Sequence, residues 1–244
     1  NGDIHVATIT FANDGDYSFT LNFEDLAGNK SESYNESEFT VDMTDPDIIF
    51  ENVEDGSSNK DEVRPAVRFS DRNFDKNQIS LTLKGYRHAE VNVTGMFVED
   101  GNGGRIVLDD FPYDVETDDV YTLTAQATDL AGNKVNKSIT FSVNRHGSNY
   151  YFSDNTEKYL DTYYHNKEQD IVIHEVNTDA LKVNGITVVR DGVSIKLDED
   201  DYSIKDVSSN GWKEYVYTIK AENFAKEGRY EITIDSEDMA GNKQ

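Results

Sequence analysis

An all-β chain of tandem, cysteine-free sandwiches is predicted by three observations. A seventeen-residue pattern beginning at Asp14 and ending Asp25-Leu-Ala-Gly-Asn-Lys30 returns in sequences ending at Lys134 and Lys243. The tyrosines that lead these copies, Tyr17, Tyr121 and Tyr230, lie 104 and then 109 residues apart, one small β domain per period rather than a solenoid repeat. Aromatic and β-branched residues are plentiful, Ala-rich helical runs are absent, and no cysteine is available to staple a smaller core.

Each copy of the pattern reads as a strand and a turn. Tyr17, Phe19, Leu21 and Phe23 alternate with Ser18, Thr20 and Asn22, which places the aromatic and aliphatic side chains on one face. In the turn that follows, Asp25 can hydrogen-bond its own backbone and Gly28 supplies a positive φ, as Gly132 and Gly241 do in the later copies. Phe39 and Val41, then Ile139, Phe141 and Val143, continue as the next strand. A tyrosine just after an acidic corner resembles the tyrosine corner of immunoglobulin-like (Ig-like) sandwiches. Tyr17, Tyr121 and Tyr230 are therefore expected to open strand F and to specify fold rather than chemistry.

Three divisions follow: the C-terminal part of a module over 1–44, a module over 45–145, and a module over 146–244 lacking most of its last strand. Residues 3–12, with Ile4, Val6, Ile9 and Phe11, read as strand E of the first. In the second, Ile48–Phe50 suit strand A, Val63–Phe69 strand B and Ile79–Leu83 strand C, with an exposed hairpin at Gly101–Gly104. In the third, Ile171 and Ile173 suit strand B, Ile186–Val189 strand C, Tyr202 and Ile204 strand D, and Tyr215–Ile219 strand E. Between Tyr150 and Asn166 two readings compete: a helical turn begun by Asp154 and Glu157, or an extended segment leading into strand B, which is preferred.

The Tyr-led strand, the Asp-x-Ala-Gly-Asn turn and Phe39-Thr-Val-Asp-Met-Thr-Asp-Pro46 together resemble the bacterial Ig-like repeats of large Gram-positive surface proteins. The second linker, Phe141-Ser-Val-Asn-Arg-His-Gly147, departs from that pattern by lacking the Asp and the Pro. The resemblance implies a secreted, wall-associated protein and a non-catalytic stalk or adhesin segment. It also implies, for some such repeats, binding of a host protein such as an immunoglobulin or a mucosal glycoprotein.

Charge bounds the partners. The net charge of −25 disfavours nucleic acid and anionic lipid, and no stretch is apolar enough to insert in a membrane. Catalysis has little to stand on, because the five histidines are scattered and no nucleophile or phosphate-loop motif occurs. A carboxylate-based glycan hydrolase is the enzymatic alternative, and it would need a deep acid-lined cleft. No cofactor is required; calcium is the exception to weigh, with Asp42, Asp45 and Asp47 as ligands around the first linker. Asp71-x-Asn73-x-Asp75 begins like a calcium loop but carries Lys76 where an EF-hand needs Gly. For a protein partner, the candidates are Tyr150, Tyr151, Phe152, Tyr163, Tyr164 and the single tryptophan, Trp212; the competing expectation is that Tyr150–Phe152 pack a junction and Trp212 fills a core.

Overall fold

The computed structural model describes residues 4–35, 38–209 and 211–244. Its first strands are β1 (Gly15–Tyr17), β2 (Thr20–Leu21), β3 (Tyr34–Asn35) and β4 (Phe39–Val41), paired antiparallel as β1 with β4 and β2 with β3. Residues 4–12 form no strand, contrary to the expectation for strand E, since none of them has a ladder partner, and Ile4, Val6 and Ile9 are exposed. Phe11 alone of that stretch packs inward, 4.7 Å from Tyr17 and 5.0 Å from Phe39 between ring centroids. The alternation expected from Tyr17 to Phe23 is likewise incomplete, because Leu21 and Phe23 are exposed.

Residues 47–143 form two sheets around one core. The strands are β5 (Asp47–Glu51), β6 (Ser58–Asn59), β7 (Ala66–Ser70), β8 (Ile79–Gly85), β9 (Val91–Asn92), β10 (Val98–Glu99), β11 (Gly103–Val107), β12 (Asp119–Thr128) and β13 (Lys134–Val143). One sheet runs β10-β11-β7-β5 and the other β6-β13-β12-β8-β9. These are the D-E-B-A and A′-G-F-C-C′ orders of an Ig-like sandwich, the short β6 pairing parallel to β13. Period-two alternation is strictest in β12, where Asp119, Tyr121, Leu123, Ala125 and Ala127 are buried and the residues between them are not. Tyr121, Leu123, Ala125 and Ala127 meet Val67, Phe69 and Ile106 of the opposite sheet in one apolar cluster.

Residues 149–238 repeat the plan with β14 (Asn149–Phe152), β15 (Ile171–Asn177), β16 (Leu181–Arg190), β17 (Val193–Ile195), β18 (Tyr202–Asp206), β19 (Lys213–Ile219) and β20 (Tyr230–Asp238). Their sheet orders, β14-β15-β19-β18 and β17-β16-β20, correspond to A-B-E-D and C′-C-F. Between β14 and β15 lies a helix, α1 (Asp154–Leu160), so the helical reading of this segment holds and the preferred extended one does not. The physical reason is local: Ser153, in extended backbone, accepts a hydrogen bond from the Thr156 amide and caps the helix, with Asp154 and Glu157 in its first turn. Thr156, fully buried, in turn accepts the Val172 amide and ties the helix to β15.

Candidate functional site

The three tyrosines make the same bond. Each hydroxyl donates to a backbone carbonyl four residues earlier: Tyr17 to Asn13 at 2.8 Å, Tyr121 to Thr117 at 2.9 Å and Tyr230 to Lys226 at 2.5 Å. The three turns are also alike. Gly28, Gly132 and Gly241 have φ of +85°, +97° and +85°, which a side chain would strain, and the leading aspartate gathers the turn's amides. Asp25 Oδ1 accepts from Ala27 and Asn29, Asp129 Oδ1 from Gly132 and Asn133, and Asp238 Oδ1 from Asn242. In Asp25 the Asn29 side chain and amide hold the carboxyl below its usual range.

The last asparagine of the turn also reaches outside it. Asn133 Nδ2 donates to the Asp42 carbonyl at 3.1 Å, and Asn242 Nδ2 to the Asn144 carbonyl at 2.8 Å. Each module therefore uses its own turn to hold the linker that leads into it, and positions 42 and 144 are equivalent. The joints between modules are where the unusual polar chemistry of this chain gathers.

At the first joint the carboxylates of Asp42, Asp71 and Asp129 each offer an oxygen within 4.8 Å of the others. Burial and the neighbouring charges of Asp42, Asp129 and Asp14 push the Asp71 carboxyl up, against the Asn73 amide that holds it down. Asn73 Nδ2 donates to Asp42 at 2.5 Å. Asp14 takes the Thr44 hydroxyl and the Met43 amide and is lowered by them, in that order. Asp45 and Asp47, expected to join Asp42, do not. Buried Pro46 and Ile48 alternate with them, so both acids point outward, and Asp47 pairs with Lys137 at 3.1 Å. Asp71 and Asp129 replace them; Asp71 was visible in sequence only as the start of a false EF-hand.

At the second joint Trp212 lies between modules two and three. It is 9 % exposed, so it belongs neither to an open binding face nor to the core of its own module, and both expectations are corrected. Its indole Nε1 donates to Asp119 of module two at 2.9 Å, and the Arg87 guanidinium lies 3.4 Å above its ring centre. Of the other aromatic candidates, Tyr150 is 40% exposed and donates to Glu175 at 3.0 Å. Tyr151 stacks on His174 at 4.5 Å and donates to Glu214, lowering that carboxyl. Phe152 is exposed, as are Tyr163 and Tyr164, which meet edge to face at 4.9 Å. The structure thus does not gather the six aromatic candidates into one surface.

A cleft of about 340 Å³ is open and lined by Arg72, Phe74, Asp75, Lys76, Asn77 and Glu99 among others. Its two carboxylates are occupied: Glu99 pairs with Lys76, and Asp75 caps a short turn by accepting the Asn77 amide. Among the described residues no helix is long and apolar enough to cross a membrane.

The fold defines a class, tandem Ig-like β-sandwiches. The family model of the bacterial Ig-like domain (group 3) matches residues 8–146, and the chain belongs to that family. No curated protein matches it. Among solved structures it is similar to one described as a tetra-tandem repeat in the extending region of a large adhesion protein, at 20% identity and a TM-score of 0.45. That match covers 94% of this chain and 54% of the other, so the chain spans about half its length.

Proposed function

We propose that this chain is a non-catalytic stalk segment of a secreted bacterial surface protein, held at the Gram-positive cell wall. The observation that carries the reading is the repeated clamp in which Asn133 and Asn242 hold the linkers into their own modules, a device that sets direction between successive sandwiches. High negative charge keeps such a rod soluble and self-repelling. Small-angle scattering of the chain is expected to give an elongated particle; a compact one with modules folded back on each other would refute the stalk.

Calcium is the ion proposed for the first joint, with Asp42, Asp71 and Asp129 as ligands in place of the Asp42, Asp45 and Asp47 set. These are hard oxygen donors whose mutual repulsion a divalent cation would relieve. Saturating calcium is expected to raise the melting midpoint of the first joint's modules by several degrees, since ligand at about a hundred times Kd contributes roughly 2.7 kcal/mol. Asp71→Asn with Asp129→Asn should abolish the difference between calcium and chelator. Equal midpoints and equal scattering in both conditions for the unaltered chain would count against the site.

A second reading, capture of a host protein such as an immunoglobulin or mucosal glycoprotein, is favoured by Tyr163 and Tyr164, which are 77% and 84% exposed. Amphipathic rings are frequent binding anchors. In a pull-down from serum and mucosal secretions, a ligand held there is expected to be lost with Tyr163→Ser and Tyr164→Ser. Capture that survives both changes would remove these rings from the account.

A further inference from the structure

We infer that the second joint is a lock closed by the chain's own groups, so that residues 45–244 form one rigid, cooperatively unfolding unit, whether or not the chain serves as a stalk. Three sets of contacts carry this inference.

On one side, Trp212 sits in the turn between β18 and β19 and projects onto module two. Asp119, fully buried, accepts the Trp212 Nε1–H and the Val120 amide on Oδ1, while its Oδ2 accepts the Arg87 amide at 2.7 Å and faces His88 Nδ1 at 2.8 Å. The carboxylate that anchors the indole is thus itself fixed from module two. Gly211 permits the approach, because a Cβ there would stand 2.4 Å from the Tyr86 ring.

At the centre, the linker is buried, and the Asn144 side chain is bonded at both its ends. Asn144, with no exposure, points Nδ2 at three oxygens: Asn177 Oδ1 at 2.8 Å, Asp179 Oδ2 at 2.9 Å and Asp238 Oδ2 at 3.0 Å. Its Oδ1 accepts the Gly147 amide at 3.1 Å, which fixes the amide's orientation. A neutral NH2 therefore stands between the two carboxylates, at the position where the first joint has a third carboxylate, Asp42. Arg145 follows and binds the linker to module two, donating to the carbonyls of Asp61, Phe111 and Pro112 and to the Asp110 carboxylate.

On the far side, Ser58 donates to Asp179 at 2.9 Å and Lys60 to the Gly241 carbonyl at 3.0 Å, both from module two to module three. The first joint differs at the corresponding points. The turn of module two that matches the Trp212 turn, between β10 and β11, is Asp100-Gly101-Asn102 and offers no aromatic wedge, and Met43, Thr44 and Asp45 of the first linker are exposed.

Trp212 is the chain's only tryptophan, so its fluorescence reports this joint alone. In the unaltered chain the indole is expected to resist acrylamide quenching, with or without chelator. Its emission should change together with the far-ultraviolet dichroism of β structure on heating. Asn144→Ala removes the amide between Asp179 and Asp238; it should expose Trp212 to quencher in folded protein and split the melt, module three falling by roughly 5–10 °C. Trp212→Phe, which keeps an apolar ring and loses the donor, should split the melt in the same direction by less. Free quenching in the unaltered chain, or Trp212 emission changing well below the main transition, would overturn the lock even if a variant failed to fold. So would Asn144→Ala protein with unchanged quenching and a single melt.

Discussion

Tyr121→Ala is expected to lower the stability of the second module by about 3–5 kcal/mol, whereas Tyr121→Phe should cost only about 1 kcal/mol. The ring carries most of the effect. It is 5% exposed and lies 4.6 Å from Phe111 and 6.0 Å from Phe141, with the His88 ring 5.8 Å away, so truncation leaves a cavity between the sheets. The hydroxyl adds the bond to the Thr117 carbonyl, which fixes the corner before β12. Because Asp119 stands two residues away and anchors Trp212, the alanine variant should also loosen the second joint. Urea unfolding followed by dichroism measures both variants; equal losses from Ala and Phe would mean that the corner bond, not the packing, holds the strand. The same pair at Tyr17 should show a smaller gap, since that ring is only partly buried.

What the sequence made legible was local. A tyrosine bonding four residues back, and an aspartate collecting amides two to four residues ahead, need no distant partner, and both could be read from one copy of the pattern. The strands of modules two and three were legible for the same reason, since period-two alternation is a property of a single strand. The joints were not. Trp212 and Asp119 are 93 residues apart, Asn144 and Asp238 are 94 apart, and composition gives no sign that they meet. Nearness in sequence even misdirected the choice of acids: Asp42, Asp45 and Asp47 are neighbours along the chain, but extended backbone turns the last two away from the joint. The helix at Asp154–Leu160 was a local signal weighed against a resemblance, and the serine cap decided it.

Glu175 is the residue that sequence reading passed over, and its removal is the second large effect expected. It lies in β15 with no exposed surface and accepts four hydroxyls: Ser148 Oγ at 2.5 Å, Tyr150 OH at 3.0 Å and Ser236 Oγ at 2.5 Å on Oε1, and Tyr217 OH on Oε2. In this set its oxygens meet hydroxyl donors and no cation. Glu175→Ala strands these donors, two of them on the buried Tyr217 and Ser236, and should cost module three about 3–5 kcal/mol. Glu175→Gln keeps the shape but turns an NH2 toward hydroxyls that must then rotate, and should cost about half as much. The same arrangement sets the alkaline limit. Burial first, then the nearby Glu175 charge, pushes Tyr150 up to about 12 from an ordinary 10.0, and burial followed by its bond to Glu175 raises Tyr217 as well. A folded-state pKa above the unfolded one means that the native protein keeps a proton which the unfolded chain gives up. The contribution is whole below pH 10 and is lost as pH rises through about 12. Urea midpoints across that interval, with tyrosinate absorbance as the monitor, are expected to fall as modules two and three unfold together. Ionisation of Tyr150 at its ordinary value, with stability flat across the interval, would show that the hydroxyl cluster does not hold Glu175 as described.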